Sequence, residues 1–172
     1  MNGVLKKSFL VFLVLLLSVA FFACDGKKHD PDLDNTNDAK ISFSVSYHGT
    51  ELSLGKSAKT ALDSLGEPMS EEEVFDCGEG KSRMLYAFSS FDLYTMKANG
   101  EEVIDQIELY DDLTETSEKI AIGSKESAVR EAYGEPTSEK NGKLTYTSGD
   151  NNLIFEIKDG TVSAIGLLRK TK

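Results

Sequence analysis

Hydrophobic and polar positions alternate along most of the chain after residue 40, and this alternation is typical of half-buried strands. Residues 41–47 alternate between apolar or aromatic side chains and serine, which predicts one strand at the start. Two later segments instead have apolar residues three or four positions apart, which is the spacing of an amphipathic helix. They are Ala58, Ala61, Leu62 and Leu65 in the first segment and Ala128, Val129, Ala132 and Tyr133 in the second.

The two helical segments belong to an internal sequence match. Residues 51–68 align without a gap with residues 119–136, and both stretches end in Gly-Glu-Pro. Leu52 with Leu54, and Ile120 with Ile122, predict a short strand before each helix. The first half is longer by eight residues, all within residues 69–83.

Local signals set the ends of the predicted helices. We expect Gly66 and Gly134 to close them in the left-handed conformation, because glycine adopts a positive φ without steric cost. The prolines two residues later prevent further helix. Ser57 or Ser124 is expected to cap the start.

Further strands follow each helix. Alternating apolar residues predict them at Met84, Tyr86 and Phe88, at Val103, Ile107 and Leu109, at Leu144 and Tyr146, and at Leu153, Phe155 and Ile157. Asn99-Gly100 and Asp159-Gly160 are strong signals for tight hairpin turns. The prediction is an α+β fold made of a duplicated βαβββ module, with one helix per repeat packed on antiparallel sheet. Module 1 spans residues 41–112 and module 2 spans residues 113–172.

The N-terminus indicates export. Lys6 and Lys7 precede an uncharged run over residues 8–23 that is short for a permanent membrane span. Cys24 follows directly, and a cysteine in this position resembles the lipobox of bacterial lipoproteins. The resemblance implies that residues 1–23 are removed as a signal peptide and that Cys24 is lipidated and acylated. The protein would then be anchored to the cell membrane on its extracytoplasmic face. The alternatives are an ordinary signal peptide, which leaves Cys24 a free thiol, or an uncleaved anchor.

A polar tether follows the cysteine over residues 24–40, because this stretch has too few apolar side chains to offset the entropy of ordering it. Four aspartates in it have spacings that partly match a calcium loop: Asp30, Asp32, Asp34 and Asp38. The match is defective, because Asn35 takes the place of the central glycine and Ile41 that of the bidentate glutamate.

Residues 122–136, followed by a strand pair and an Asp-Gly hairpin, resemble a known group of small extracytoplasmic modules. These are the β-lactamase-inhibitor-protein-like modules and the outer-membrane-assembly lipoprotein E (SmpA/OmlA) modules. The resemblance implies helices packed on an antiparallel sheet and a protein-binding role in the cell envelope. It carries over no contact residue.

The chain has few groups for catalysis. A formal net charge of −10 disfavours nucleic acid as a partner. His29 and His48 have no metal-ligand spacing, and Asp76 and Glu79 beside Cys77 disfavour its thiolate. Cys77 is therefore a thiol without a role, or it forms a regulatory or intermolecular disulfide. No cofactor, metal or catalytic site is predicted.

Two features are candidates for recognition. The acidic runs Glu71, Glu72, Glu73 and Asp111, Asp112 are solvated surface charge, or they recognise a basic partner or a cation. Most of four aromatic residues are expected in the core, and any of them exposed together would mark an open sheet face as the partner site: Phe88, Phe91, Tyr94 and Tyr110. The hypothesis is a non-enzymatic, lipid-anchored protein that binds an envelope protein. The alternative is a sensor or delivery domain that binds a small ligand or a cation, and a hydrolase is third.

Overall fold

The computed structural model describes residues 43–76 and 80–170 of the 172-residue chain. Several predictions fall outside the described residues: the signal segment, the tether with its aspartates, and both cysteines, Cys24 and Cys77. Within the described part, no helix is long and apolar enough to cross a membrane.

Eleven strands and two helices are present in the described ranges. In chain order they are β1 (Ser44–Tyr47), β2 (Thr50–Ser53), α1 (Ala58–Leu65), β3 (Ser70–Asp76), β4 (Lys81–Ala87), β5 (Phe91–Ala98), β6 (Glu101–Leu109), β7 (Glu115–Thr116), α2 (Glu126–Tyr133), β8 (Ser138–Lys140), β9 (Lys143–Ser148), β10 (Asn151–Lys158) and β11 (Thr161–Arg169).

Most of these strands form one antiparallel sheet of eight, in the order β3-β4-β5-β6-β11-β10-β9-β8. Each helix is followed in the chain by four of these strands. The two runs meet at the centre, where β6 pairs with β11 and Ile107 lies opposite Leu167. A smaller sheet has the order β2-β1-β7, and β7 comes from the second half of the chain.

The predicted fold class is wrong. The described chain is mostly β, with a large eight-stranded sheet and a small one, and it is not a duplicated α+β repeat. Four strands follow each helix instead of three, because β3 and β8 are additional. The strand predicted at Ile120 and Ile122 is absent from the described residues. Thr116 N–H donates to Ile120 O at 2.9 Å, so this backbone forms a turn.

The length difference between the two halves lies in one hairpin. Strand β3 pairs with β4 over seven positions, whereas β8 pairs with β9 over three. The additional residues within 69–83 therefore lengthen the β3–β4 hairpin. Asn141-Gly142 forms the shorter turn with positive φ at both residues, and this turn was not predicted.

The local turn and cap predictions have mixed outcomes. Asn99-Gly100 and Asp159-Gly160 have positive φ at both residues, so both predicted hairpin turns are confirmed. Ser57 caps α1 and accepts a hydrogen bond from Thr60 N–H, which confirms one of the two cap candidates. Ser124 is not the cap of α2, because its hydroxyl accepts from Ala121 N–H instead.

The helix-closing glycines have the predicted positive φ. Gly66 has φ 83° and ψ −164°, and Gly134 has φ 75° and ψ −150°. These ψ values lie outside the left-handed helical region that the sequence predicted. They belong to a region of backbone conformation that only glycine occupies readily.

One face of the large sheet forms the core. Its buried side chains include Leu93, Ile107 and Leu167, and they pack with residues of the small sheet and of the helices, such as Leu52 and Val129. Because successive residues of a strand point to opposite faces, the neighbours of these core residues lie on the other face.

Candidate functional site

The second face of the eight-stranded sheet, here called the open face, carries partly exposed side chains on its central strands. Two rows of residues run across it in register. One row is Leu85, Tyr94, Gln106, Leu168 and Asn152, and the next is Ala87, Asp92, Glu108, Gly166 and Ile154. All ten residues are intermediate in exposure. A sheet face with this many partly exposed apolar and aromatic groups is a candidate binding surface.

Arg83 is a cationic residue of the open face. Its Nη1 donates to Gln106 Oε1 at 2.9 Å and lies 3.5 Å from Asp105 Oδ2. Its guanidinium also lies over the Tyr94 ring, 5.2 Å from the centroid. A stacked and hydrogen-bonded arginine loses rotamer freedom, so Arg83 and Tyr94 present an ordered surface.

A β-bulge places Asp105 beside this arginine. Tyr94 pairs with Gln106 and Thr95 pairs with Ile104, so Asp105 is the extra residue of β6. Its side chain is only 4% exposed. A buried carboxylate requires compensation, which the Arg83 guanidinium supplies in part.

Hydrogen bonds extend the cluster along β5 and β6. Gln106 Nε2 donates to Glu108 Oε1 at 2.6 Å. Tyr110 Oη donates to Asp92 Oδ2 at 2.5 Å and lies 3.5 Å from Glu108 Oε2. We call the connected set the polar network: Arg83, Asp92, Tyr94, Asp105, Gln106, Glu108 and Tyr110.

The polar network is acidic. Asp92 and Glu108 lie directly opposite each other on neighbouring strands, and like charges in this position cost stability. Tyr110 offsets part of this cost, because it bridges toward both carboxylates. Burial and then the hydrogen bond to Asp92 raise the pKa of Tyr110 above its usual value of 10.0, so the phenol stays a donor into the alkaline range.

Tyr94 also keeps its proton at neutral pH. Its pKa is raised mainly by burial and then by the charges of Glu108 and Asp92, whereas the Arg83 cation acts in the opposite direction. The network therefore combines three carboxylates, one guanidinium and two neutral phenols.

Gly166 leaves a notch in the centre of the open face. It lies between Glu108 and Ile154 in the second row and contributes no side chain. A Cβ at this position would meet Leu168 Cδ1 at 3.5 Å, an ordinary contact. Glu108 and Ile154 are therefore separated in this row by a position that carries no side chain.

The predicted recognition residues separate between the core and the surface. Phe88 and Phe91 are core residues, whereas Tyr94 and Tyr110 lie on the open face, so half of the set is in the core and not most of it. His48 is exposed in the β1–β2 turn with φ 48°.

The predicted acidic runs are not members of the polar network, although Glu72 lies opposite Leu85 on the open face and Asp111 follows Tyr110 in the chain. Glu71, Glu72 and Glu73 are on β3, at the edge of the sheet. Asp111 Oδ1 accepts from Leu113 N–H at 2.9 Å in the loop after β6. The described ranges hold no group of three His, Cys, Asp or Glu residues suited to a metal ion.

Five members of the polar network were not predicted from the sequence: Arg83, Asp92, Asp105, Gln106 and Glu108. In the sequence each of them looks like an ordinary polar residue of a protein surface, and only the pairing of the strands brings them together. The available signal was weak: Gln106 and Glu108 are the polar positions that alternate with Ile107 and Leu109 on β6.

A cleft of about 470 Å³ lies at the β3–β4–β5 end of the sheet. Its walls come from residues with mixed charge and polarity: Glu73, Lys81, Ser82, Arg83, Met84, Thr95, Met96, Lys97 and Glu102. Glu102 accepts hydrogen bonds from Tyr86 and Thr95, so this carboxylate is held at the cleft wall.

No protein-family model matches the chain, and no curated protein matches it. A solved structure with some similarity is a DUF4309 family protein (YjgB) from Bacillus subtilis, at 14% sequence identity and a TM-score of 0.42. The match covers 69% of this chain and 82% of that chain. We draw no conclusion about fold or function from a likeness of this size.

Proposed function

We propose that the chain is a non-enzymatic lipoprotein, anchored through Cys24 on the extracytoplasmic face of the cell membrane, that binds another envelope protein through the open face. The observation that carries the proposal is the polar network, set among the partly exposed apolar residues Leu85, Ile154 and Leu168. Ordered aromatic and arginine side chains beside apolar ones are the usual composition of protein interfaces.

The charge of the open face indicates which kind of partner it binds. Asp92 and Glu108 are the partly exposed carboxylates of the polar network, and the whole chain carries a formal net charge of −10. Electrostatic complementarity favours a partner that presents lysine or arginine next to apolar side chains. The occupant that we propose is therefore a basic protein surface.

Site-specific photo-crosslinking in the native envelope tests the proposal. A photoreactive residue is introduced at Ile154 or Leu168 on the open face, and at Lys59 or Glu131, which are exposed on the helices, as matched controls. We expect one discrete cross-linked protein from the open-face positions and none from the helix positions. The same product from all four positions would refute the proposal, and so would its absence from Ile154 and Leu168.

The purified cross-linked partner then allows a direct binding measurement. Ile154→Lys adds a positive charge to the face that binds the basic partner and removes a desolvated apolar contact. It should weaken binding by about tenfold or more, and a tenfold change in the dissociation constant corresponds to roughly 1.4 kcal/mol. Lys59→Ala, on the surface of α1, should change it by less than about twofold. Equal affinities for the Ile154→Lys and wild-type proteins would contradict the proposed interface.

The second candidate function is binding of a small ligand, and the cleft of about 470 Å³ favours it. Clefts of roughly 300–1,000 Å³ suit small molecules. A metabolite library screened by the shift in melting temperature tests this function. A ligand whose stabilising effect disappears in Met84→Trp, which fills the cleft, would support it, and the absence of any stabilising ligand would dismiss it.

A further inference from the structure

We propose that the outer edge of β3 is a second docking site, where an extended basic segment of another protein adds to the large sheet as a further strand. This inference goes beyond the proposed function of the open face and uses different residues. It rests on the unpaired edge, on exposed apolar side chains at both ends of the strand and on the charge between them.

The position of β3 makes its backbone available. It is the first strand in the order of the sheet and pairs with β4 from Ser70 to Asp76. Within the described part of the chain, no strand pairs with its other side. An edge strand of this kind directs alternate N–H and C=O groups outward, and a partner strand satisfies them.

The two edges of the sheet differ in length and in apolar exposure. The opposite edge strand, β8, has three residues, and Arg130 bonds to its Glu139 at 2.8 Å. Strand β3 has seven residues and is flanked by two strongly exposed apolar side chains, Met69 at 77% and Phe75 at 63%. Only the β3 edge therefore combines the length and the exposed apolar surface that strand addition needs.

The exposed side chains of this segment are arranged for a partner strand. By strand alternation Met69, Glu71, Glu73 and Phe75 share one face of β3. An added strand would find apolar contacts at each end and two carboxylates between them.

Charge decides between a second copy of this chain and a basic partner. Two β3 strands paired antiparallel about Glu72, or parallel and in register, would bring Glu71, Glu72 and Glu73 opposite the same run, and full antiparallel overlap would still place Glu73 opposite Glu73. Like charges directly opposite each other destabilise a strand pair. Lysine or arginine at alternate positions of a partner strand would instead attract these carboxylates, so the edge fits an extended basic segment.

A synthetic peptide of alternating lysine and valine, seven residues long, serves as the probe. Its fluorescence anisotropy is followed on addition of the full-length protein in detergent, and amide hydrogen exchange of β3 is measured in parallel. We expect saturable binding together with slower exchange at the β3 amides. A matched peptide with proline in place of valine keeps the charge but cannot form a strand, so it should not bind.

Charge reversal on β3 supplies the matched protein variants. Glu71→Lys/Glu73→Lys should weaken peptide binding by about tenfold or more, because two cross-strand pairs change from attraction to repulsion. Glu101→Lys/Glu131→Lys changes the net charge equally at exposed positions elsewhere and should change binding by less than about twofold.

Three results would overturn the inference. They are the absence of saturable binding, equal binding of the proline peptide, and equal weakening by both pairs of charge reversals. None of these results depends on the open face. A failure here leaves the proposed function untested, and a failure of the open-face variants leaves this inference standing.

Discussion

The guanidinium of Arg83 lies over the ring of Tyr94, 5.2 Å from its centroid, on the face of the large sheet that is not used for the core. The same guanidinium lies 3.5 Å from the carboxylate of Asp105, which the β-bulge of β6 buries. One side chain therefore joins an aromatic ring of the open face to a buried charge, so its removal should affect stability and, on the proposed function, binding.

The first prediction concerns this arginine. Arg83→Ala should lower the free energy of unfolding by about 2–4 kcal/mol, because the Asp105 carboxylate keeps its burial and loses a compensating cation. Urea denaturation measures the change. Lys59→Ala removes an exposed ion pair with Asp63 and should change stability by less than about 1 kcal/mol.

A double variant distinguishes the charge pair from loss of packing. If the burial of Asp105 causes the loss, Arg83→Ala/Asp105→Asn should be more stable than the sum of the single changes predicts. Strict additivity of the two single changes would contradict this explanation.

The second prediction concerns alkaline pH. Burial, and then the hydrogen bond to Glu102, raise the pKa of Tyr86 from 10.0 to about 12. Between these two values the unfolded chain has lost the proton that the folded chain retains. The free energy of unfolding should therefore fall as the pH rises from about 10 to about 12.

Tyr86→Phe removes the titrating hydroxyl, so the free energy of unfolding should fall less steeply with pH than in the wild-type protein. Some fall should remain, because the pKa values of Tyr94 and Tyr110 are also raised. Chemical denaturation at a series of pH values measures the slope. If the free energy of unfolding of the variant falls with pH as steeply as that of the wild-type protein, Tyr86 has the same pKa in the folded and the unfolded chain, and the prediction is contradicted.

The third prediction concerns the closure of α2. Gly134→Ala should destabilise the fold by about 1–3 kcal/mol, because φ 75° with ψ −150° is a conformation that alanine adopts only under strain. A Cβ there meets no atom within 4 Å, so no clash contributes to the cost. Thermal unfolding measures the loss, and Gly166→Ala, on a strand without positive φ, is the matched control. Equal melting temperatures of Gly134→Ala and the wild-type protein would contradict this account of the helix end.

The fourth prediction concerns membrane anchoring. Cys24→Ala should move the protein from the membrane fraction to the soluble extracytoplasmic fraction, or leave it as an unprocessed precursor, because the proposed lipid attachment site is lost. Cell fractionation with immunoblotting measures the distribution. Unchanged membrane attachment of the processed protein would refute lipidation at Cys24.

Local features of the fold could be predicted from the sequence because their signals lie within a few residues. The turns Asn99-Gly100 and Asp159-Gly160 were predicted, since both residues must adopt a positive φ. The helices α1 and α2 followed from their apolar spacing. The missed turn Asn141-Gly142 carries the same signal, but β8 before it has three exposed residues and no alternation to reveal a strand.

The prediction of the fold class was wrong because the fold class depends on pairing between distant segments. Pairing of β6 with β11 joins the two runs of strands into one sheet, and pairing of β1 with β7 joins residues far apart in the chain. No local pattern specifies these partners. The polar network has the same origin, because Arg83, Asp92 and Gln106 meet only through the register of β4, β5 and β6.

The most direct test of the open face uses Gly166, the notch at its centre. Gly166→Val adds a side chain at a strand position without a positive φ, where the Cβ makes an ordinary contact with Leu168 Cδ1 at 3.5 Å, so the stability should stay within about 1 kcal/mol of the wild-type value or rise. The measurement is the dissociation constant of the cross-linked partner for this variant and for the wild-type protein. We predict that binding weakens by about tenfold or more while the melting temperature is maintained. An unchanged dissociation constant in the folded variant would contradict the assignment of the open face as the binding surface.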